Sequence, residues 1–356
     1  MNESDHSTAL QQQVLNALSN ETSLNIQGGG SKSFLGNARQ ANALTIDVSK
    51  HSGIVEYDPR ELVLTARSGT PLSQIEAVLV KASQMLAFEP PHFGEGATLG
   101  GTIACGLSGP RRPYSGSARD FVLGCKLLNG QGDILQFGGQ VMKNVAGYDV
   151  SRLMVGAYGT LGIMLDISLK VMPRPAASIT VVRNCNSADA IASMSALLSQ
   201  PYPVDGACFY DECCYIRLSG SAQAVKEART KISGDVMSDA NAFWHALREQ
   251  ELAFFQGNSP LYRIIVKPAT PPLSIEGSWL LDWGGAQRWL YSPVDITTIR
   301  RQVEQVGGQV ALFRGLNQQA NIFQPLTAPV MAIHQRLKTS FDPKNIFNRG
   351  RIYAAL

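Results

Sequence analysis

The chain has 356 residues, of which 44% are hydrophobic and 17% charged, and its formal net charge is +3. This length predicts two domains, and a charge so small and so dispersed excludes a dedicated nucleic-acid binder. No apolar run approaches the roughly 18 residues of a membrane-spanning helix, and the acidic residues 1–5 lack the apolar stretch of a secretory signal. We therefore expect a compact, loop-rich cytoplasmic protein.

Cysteine and histidine spacing argues against a metal centre. The six cysteines form no Cys-x-x-Cys pair, and the five histidines are scattered along the chain. These spacings favour free, mostly buried thiols over zinc or iron–sulfur ligands. We predict no metal site.

The hydrophobic pattern predicts alternating helices and strands. In the first half it indicates a helix over residues 8–19, a second helix opened by Pro71, and strands at 24–27, 44–48, 54–57, 62–66, on both sides of a turn at 129–132, and at 162–171. Pro173-Arg174-Pro175 then marks a domain boundary. Beyond it we predict strands at 179–182, 207–210 and 214–218, and helices at 188–198, 222–232 and 328–338. Such alternation is typical of an α+β fold with an antiparallel sheet.

Three glycine-rich segments lie beside predicted strands in the first half. Consecutive glycines at residues 28–30 allow backbone N–H groups to converge on an anion, and Lys32 adds a positive charge. Thr98 is a plausible N-cap of a helix with small residues, whose N-terminus can hold a phosphate. The third segment, residues 159–163, lets a flat ligand lie against the backbone. Together they predict a dinucleotide site.

Two other nucleotide-binding motifs also use glycines at such positions. The spacing of Gly28, Gly30 and Asp47 approaches the Rossmann fingerprint, but residues 33–37 lack the helical pattern that must follow it. No Gly-Lys-Ser/Thr run is present, which excludes a Walker A loop.

The order and spacing of five segments resemble the FAD-linked oxidases with the fold of vanillyl-alcohol oxidase and p-cresol methylhydroxylase. These segments are residues 27–31, 97–101, 119–124, 143–149 and 159–163. Residues 109–117 and 282–286 are similar to the FAD-binding subunits of bacterial glycolate oxidases. The resemblance implies an α+β fold with a PCMH-type FAD domain of two α+β subdomains at residues 1–174. An α+β cap domain at 175–325 and a C-terminal segment at 326–356 that returns to the FAD domain would follow.

The resemblance also implies a site for FAD. The pyrophosphate would lie on Gly28, Gly29, Gly30, Ser31 and Lys32, and the path to the flavin would be lined by Thr98, Gly100, Gly101, Thr102, Ala104 and Ser108. Gly162 and Ile163 would lie at the adenine–ribose or isoalloxazine end. Asn348 would be a flavin contact in a tail motif in which Arg349 replaces a proline. No histidine or cysteine lies between Gly28 and Lys50, so we expect non-covalent binding, with Cys105 and His92 as the remaining attachment points.

Catalytic relatives in this family carry a histidine–carboxylate cluster in the cap, and the corresponding residues 311–317 have neither residue type. We therefore assign no catalytic residue. One interpretation is an FAD-binding subunit of a glycolate dehydrogenase, with a catalytic flavoprotein subunit and an iron–sulfur subunit as partners. Electrons would pass toward quinones, and any membrane contact would be indirect. The alternatives are a self-sufficient enzyme that uses Arg112 or Lys143 on a small hydroxy acid, and a structural FAD-binding subunit.

Several charged and aromatic residues have two interpretations. Arg111 and Arg112 either lie solvated in a loop or face an anionic partner or a carboxylate. Lys143 and Tyr148 are either structural or close to the flavin. Trp279, Trp283 and Trp289 are interpreted as core or protein interface rather than ligand-stacking residues, and we expect them to contribute to a partner interface.

Overall fold

The computed structural model describes residues 4–139, 149–315 and 322–356. Its N-terminal region is built on an antiparallel sheet of five strands in the order β3-β4-β8-β6-β7. The central strand β8 is buried along nearly its whole length, whereas the edge strand β3 has no buried residue and is half-buried or exposed throughout. The strands of this region are β1 (Leu24–Gln27), β2 (Leu44–Asp47), β3 (Ile54–Asp58), β4 (Val63–Arg67), β5 (Gln84–Met85), β6 (Val122–Leu128), β7 (Ile134–Gly138), β8 (Ile163–Lys170) and β9 (Met172–Pro173).

Helices cover both sides of this sheet. Leu72, Ile75 and Leu79 of α2 are fully buried at helical spacing in the main core, and α1 packs in a second cluster against the parallel pair β1–β2. No helix occurs between β1 and β2. This agrees with the prediction that residues 33–37 do not begin a helix, which disfavoured a Rossmann unit. The helices here are α1 (Ser7–Ser19), α2 (Leu72–Lys81), α3 (Leu99–Cys105), α4 (Arg112–Ser115), α5 (Ala118–Phe121) and α6 (Val150–Leu153).

The central region carries a sheet of eight strands in the order β13-β10-β12-β11-β15-β16-β14-β17, antiparallel at every pairing. Alternate residues of β12 enter different cores: Ile216 packs with helices α7 and α8, and Tyr215 stacks on Phe243 of α9. The strands are β10 (Ala177–Asn184), β11 (Val204–Tyr210), β12 (Cys213–Gly220), β13 (Asp235–Val236), β14 (Leu261–Ile265), β15 (Ser278–Asp282), β16 (Gln287–Tyr291) and β17 (Gln309–Arg314). The helices are α7 (Ser187–Leu198), α8 (Ala222–Arg229), α9 (Ala240–Glu249) and α10 (Ile296–Glu304).

The C-terminal segment returns to the N-terminal region. Helix α11 (Ala328–Phe341) precedes a stretch in which Phe347 forms a parallel bridge with Leu24 of β1. Ile346 and Phe347 are buried in the cluster formed by α1 and β2. The chain therefore closes on its own first strand.

The predicted α+β class and the predicted elements are confirmed, with shifts of a few residues at their ends. Helix α8 ends at Arg229 rather than 232, and α11 extends to Phe341. No element is predicted from the sequence between residues 233 and 327, where the structure has α9, α10 and β13 to β17. In the described ranges, no helix is long and apolar enough to cross a membrane, and no group of three or more histidine, cysteine or acidic side chains could hold a metal.

Candidate functional site

A cleft, partly open to solvent, lies where the first glycine loop, α3, the start of β8 and the C-terminal segment meet. It brings together eleven of the thirteen residues that the sequence analysis assigned to FAD: Gly28, Gly29, Gly30, Ser31, Lys32, Thr98, Gly100, Gly101, Ala104, Gly162 and Ile163. Arg39, Cys105, Tyr158, Gly159, Asn348 and Arg351 also line it.

The first glycine loop presents unused hydrogen-bond donors to the cleft. Within the described residues, the backbone N–H groups of residues 28–32 donate no hydrogen bond. Gly30 adopts φ +77°, and a Cβ atom on Gly28 would lie 2.5 Å from Oγ1 of Thr98. A series of open amides at glycines that cannot accept a side chain is the arrangement that binds a phosphate group. The loop fits the pyrophosphate of FAD.

The charged side chains around the cleft are cations. Lys32 is buried, and its ammonium group donates to the carbonyl of His92 at 3.0 Å. Arg39 donates to the side chain of Gln27 at 2.6 Å. Arg351 is buried and donates to the backbone carbonyls of residues 33, 35 and 37, which fixes the loop after the glycines. No carboxylate of the described chain lines the cleft. The electrostatic environment therefore favours an anionic ligand.

Burial shifts the pKa of two residues in the cleft. It lowers the pKa of Lys32 to about 8, although the nearby Cys105 and Glu249 oppose this shift. It raises the pKa of the Cys105 thiol to about 11. Cys105 is therefore a neutral thiol at physiological pH and a poor nucleophile.

Helix α3 lines the cleft, but the backbone N–H groups of its first three residues already have hydrogen-bond partners. Thr98 is its N-cap, as predicted, and accepts a hydrogen bond from the N–H of Gly101 at 3.3 Å. The N–H groups of Leu99 and Gly100 donate to the carbonyls of Thr70 and Ser68, at 2.9 and 2.7 Å. The turn that follows β4 therefore already supplies acceptors for these two amides, and a phosphate site at this N-terminus stays a prediction.

Two predicted site residues lie away from the cleft. Thr102 is on the buried side of α3, fully enclosed, and is not a lining residue. The hydroxyl of Ser108 accepts a hydrogen bond from the N–H of Ala118 at 3.0 Å and faces a second cavity. Their assignment to the pyrophosphate and flavin path came from the resemblance, and Ser108 lies beyond the end of α3. A helix presents only one of its faces to a ligand.

The third glycine segment and the C-terminal segment meet at Asn348. Its side chain accepts from the N–H of Ile26 at 2.8 Å and donates to the carbonyl of Tyr158 at 2.6 Å. A Cβ atom on Gly159 would lie 2.7 Å from Nδ2 of Asn348, so a glycine is required for this approach. Asn348 thus lies in the cleft, and its amide groups tie three segments together.

The structure shows what surrounds the arginines and tryptophans that had two interpretations. Arg111 pairs with Glu89 at 3.2 Å and with Asp205, so the carboxylates that it faces belong to the chain itself. The guanidinium of Arg112 lies 4.3 Å from the ring centre of Trp283. Trp283 and Trp289 are buried in the chain's own core, which contradicts the expectation that they form a partner interface. Lys143 and Tyr148 lie outside the described residues.

Sequence reasoning missed Arg39, Tyr158 and Arg351 as residues of the cleft. Arg39 follows the glycine loop by only a few residues, and a positive charge at that distance was an available signal. Arg351 gave no local signal, because it reaches the loop from the other end of the chain through contacts across more than 300 positions.

Comparisons with known proteins agree with this geometry. Residues 5–138 match the family model described as an FAD binding domain. The chain is 49% identical to glycolate oxidase subunit GlcE of Escherichia coli (strain K12) over 356 residues, which is the whole of both chains. It is 33% identical over 168 residues to subunit GlcD of Bacillus subtilis (strain 168), covering 47% of this chain and 35% of that one.

Solved structures of alkyldihydroxyacetonephosphate synthase share the fold. Two of them superpose with TM-scores of 0.65 and 0.67 and 15% sequence identity, covering 95% of this chain. They cover 73% and 74% of the synthase chains. An identity this low supports the fold only. The full-length match, together with a cleft suited to a dinucleotide, shows that the chain belongs to the GlcE family of glycolate oxidase subunits.

Proposed function

We propose that the chain is the FAD-binding subunit of a multi-subunit glycolate dehydrogenase. It would pass electrons from the oxidation of glycolate to glyoxylate toward an iron–sulfur subunit and quinones. The observation that carries the proposal is the match to a GlcE subunit over every residue of both chains. In this proposal residues 1–174 form the FAD domain, 175–325 the cap and 326–356 the returning segment.

The residues of the cleft divide the work of holding FAD. The open amides of residues 28–32 would bind the pyrophosphate, and Lys32, Arg39 and Arg351 would balance its charge. Asn348 would fix the distance between the first strand and the third glycine segment. Bound FAD supplies the capacity to accept and donate electrons.

The proposed partner subunit would supply a catalytic base for glycolate oxidation. None of the five histidines lines the cleft, and the described part of the segment corresponding to the relatives' histidine cluster, residues 311–315, has neither histidine nor carboxylate. A general base contributes roughly 10²–10⁴-fold to such a reaction. We propose that a GlcD-like flavoprotein subunit supplies it, and that the assembly works in the cytoplasm, with membrane contact only through a partner.

Non-covalent attachment is supported by the two candidate nucleophiles. Cys105 lines the cleft as a neutral thiol, whereas His92 does not line it. Nε2 of His92 lies 3.2 Å from a carboxylate oxygen of Glu76. Acid precipitation of the purified chain should leave the yellow colour in the supernatant. Flavin retained in the pellet would overturn this part of the proposal.

Reconstitution tests the function as a whole. Glycolate-dependent dye reduction is measured for this chain alone, for the GlcD-like subunit alone and for the mixture. We expect turnover to need the mixture. Robust turnover by this chain alone would favour the self-sufficient enzyme, and full turnover by the partner alone, unchanged on mixing, would favour a structural subunit.

A further inference from the structure

Residues His92 and Phe93 lie between the cofactor cleft and helix α9 of the central region. On the cleft side, the carbonyl of His92 accepts a hydrogen bond from the ammonium group of Lys32 at 3.0 Å. The same ammonium group lies 5.8 Å from the ring centre of Phe93. The described residues that line the cleft all come from the N-terminal region or the C-terminal segment. Residues 92–93 are therefore a contact through which the central region can act on the cleft.

On the other side, the carboxylate of Glu249, the last residue of α9, binds these two residues. Its Oε2 accepts hydrogen bonds from the N–H groups of His92 at 3.0 Å and Phe93 at 2.9 Å. Its Oε1 accepts from Nε of Arg248 at 2.7 Å, and only 7% of the Glu249 side chain is exposed. Hydrogen bonds to an ionised acceptor are stronger than those between neutral groups. Glu249 therefore fixes residues 92–93 from the central region.

This contact holds two groups in unfavourable positions. The C-terminal end of a helix carries a partial negative charge, so a carboxylate such as that of Glu249 is disfavoured there. The backbone of Phe93 has φ +52°, in the left-handed region that bulky residues rarely adopt. Such a conformation persists only where the surrounding contacts impose it. The hydrogen bonds from residues 92–93 to Glu249 compensate the first and impose the second.

Glu249 also acts on the charge of Lys32. Burial lowers the pKa of Lys32, and the negative charge of Glu249 opposes this shift, as Cys105 does. Loss of the Glu249 charge would therefore restrict the ammonium form of Lys32 to lower pH. The other ionisable side chains around Lys32 and residues 92–93 are that of His92 with its neighbour Glu76, Arg314 against the Phe93 ring, and Arg39 and Arg351 in the cleft.

We propose that Glu249 is a positioning residue through which the central region controls the binding of FAD in the cleft. Its carboxylate fixes residues 92–93, and the carbonyl of His92 in turn holds the ammonium group of Lys32 beside the glycine loop. Its negative charge keeps that ammonium group protonated. Glu249 thereby acts on a cofactor that it does not touch. The proposal rests on the proposed function, because FAD is taken as the ligand of the cleft.

A nuclear magnetic resonance titration of the full-chain apoprotein, isotope-labelled at lysine Nζ, measures the charge of Lys32 without FAD. The signal that disappears in Lys32→Met belongs to Lys32. We expect this signal to titrate at a lower pH in Glu249→Gln than in the wild type, by roughly half a pH unit or more. Glutamine keeps an oxygen that accepts a hydrogen bond, so the difference reports the loss of the charge.

Fluorescence titration with FAD at neutral pH measures whether Glu249 acts through Lys32. Glu249→Ala should weaken FAD binding about tenfold, the loss expected for one charge-assisted hydrogen bond. In a chain that also carries Lys32→Met, the same substitution should weaken binding by less than about twofold, because residues that act through one contact are not additive. A merely structural role would give equal losses in both backgrounds.

Glu251→Ala is the matched control. Glu251 is exposed just beyond the end of α9, and its carboxylate lies 3.7 Å from Nδ1 of His245. This variant should bind FAD within about twofold of the wild type. If Glu249→Ala unfolds, the titration of Lys32 in Glu249→Gln decides the proposal.

Three outcomes would overturn the proposal and leave the proposed function intact. These are an unchanged titration of Lys32 in Glu249→Gln, an additive loss of FAD affinity in the Lys32→Met background, and an equal loss in Glu251→Ala. A wild type that binds no FAD would overturn the proposed function together with this proposal.

Discussion

Lys32 is the buried cation of the first glycine loop, and its charge depends on pH near neutrality. Because burial lowers its pKa to about 8, the ammonium form is present below this pH and is lost above it. In the proposed site, only the charged form would form an ion pair with the pyrophosphate of FAD. We predict that FAD affinity is constant below about pH 8 and falls as the pH rises further.

Substitution of Lys32 tests this pH dependence. Lys32→Met should weaken FAD binding at pH 7 by roughly 10- to 100-fold, corresponding to about 1.5–3 kcal/mol, and should abolish the fall above pH 8. Fluorescence titration of the apoprotein with FAD between pH 6 and 9 (roughly the range in which Lys32 titrates) measures both effects. Lys50→Met removes an exposed charge and serves as the control. A Lys32→Met profile that matches the wild type would exclude this role.

Two glycines of the cleft differ in whether the fold requires a glycine at their position. A Cβ atom on Gly29 would overlap the carbonyl oxygen of Gly96, whereas one on Gly101 would meet only Oγ1 of Thr98 at 3.2 Å. We predict that Gly29→Ala lowers the melting temperature, while Gly101→Ala folds normally. Gly101→Asp should fold but lose FAD, because it brings a negative charge into a cleft that the described carboxylates avoid.

Circular dichroism and the flavin-to-protein ratio separate these effects. Loss of fold in Gly101→Asp, or stoichiometric flavin in a folded Gly101→Asp protein, would each contradict the assignment.

Gly29 and Gly101 also show what sequence can and cannot predict about single residues. The glycine run indicates an anion site, but the approach of Gly96 to Gly29 arises from a turn 67 positions away and leaves no local pattern.

At the scale of single elements, helix α11 depends on one buried cation. Among its described residues only Lys338 is buried, and its ammonium group donates to Asp342 at 2.7 Å and to the carbonyls of Thr160 and Phe347 at 2.7 and 2.8 Å. Lys338→Met would leave the buried carboxylate of Asp342 without its cation. We predict a loss of about 3–5 kcal/mol in the free energy of unfolding.

Denaturant unfolding measures this loss. Lys344→Met, at an exposed position of the same segment, should change the free energy of unfolding by no more than about 0.5 kcal/mol. If the two variants unfold alike, the ammonium group of Lys338 does not hold the helix in place.

An element could be predicted from the sequence where neighbouring residues determine it. Helix α1 and the N-cap at Thr98 were predicted because local periodicity and capping decide them. Strand β16 was missed because all five residues are buried, which removes the alternating pattern, and because it contains Arg288. The guanidinium of Arg288 donates to the carbonyls of Thr270, Pro271 and Gly285, so the charge is satisfied by loops that no local pattern indicates.

At the scale of the whole molecule, a cluster of four charges joins the N-terminal and central regions. Glu89 and Arg111 come from the first region, and Asp205 and Arg217 from the second. Burial alone would raise the pKa of Glu89, but the guanidinium groups of Arg217 and Arg111 outweigh it and hold the pKa below its usual value of 4.5. The stabilisation is therefore present above pH 4.5 and is lost as the pH falls through the lowered pKa.

Glu89→Gln tests the contribution of this cluster. Removal of one partner from a buried ion pair costs about 3 kcal/mol at neutral pH, and the variant should lose less stability than the wild type on acidification. Chemical unfolding measured from pH 7 downward distinguishes the two profiles, with the exposed Glu95→Gln as control. Parallel profiles for wild type and Glu89→Gln would show that the cluster does not couple the regions.

The return of the C-terminal segment to β1 has a consequence for biosynthesis. Asn348 and Arg351 complete the cleft, yet the ribosome adds them more than 300 positions after the glycine loop. The loop therefore emerges without the guanidinium that fixes it, and β1 emerges without the amide that joins it to Tyr158. We therefore expect FAD to bind only after this segment has been translated, and we expect a chain that ends before Asn348 to be more sensitive to proteases at the cleft.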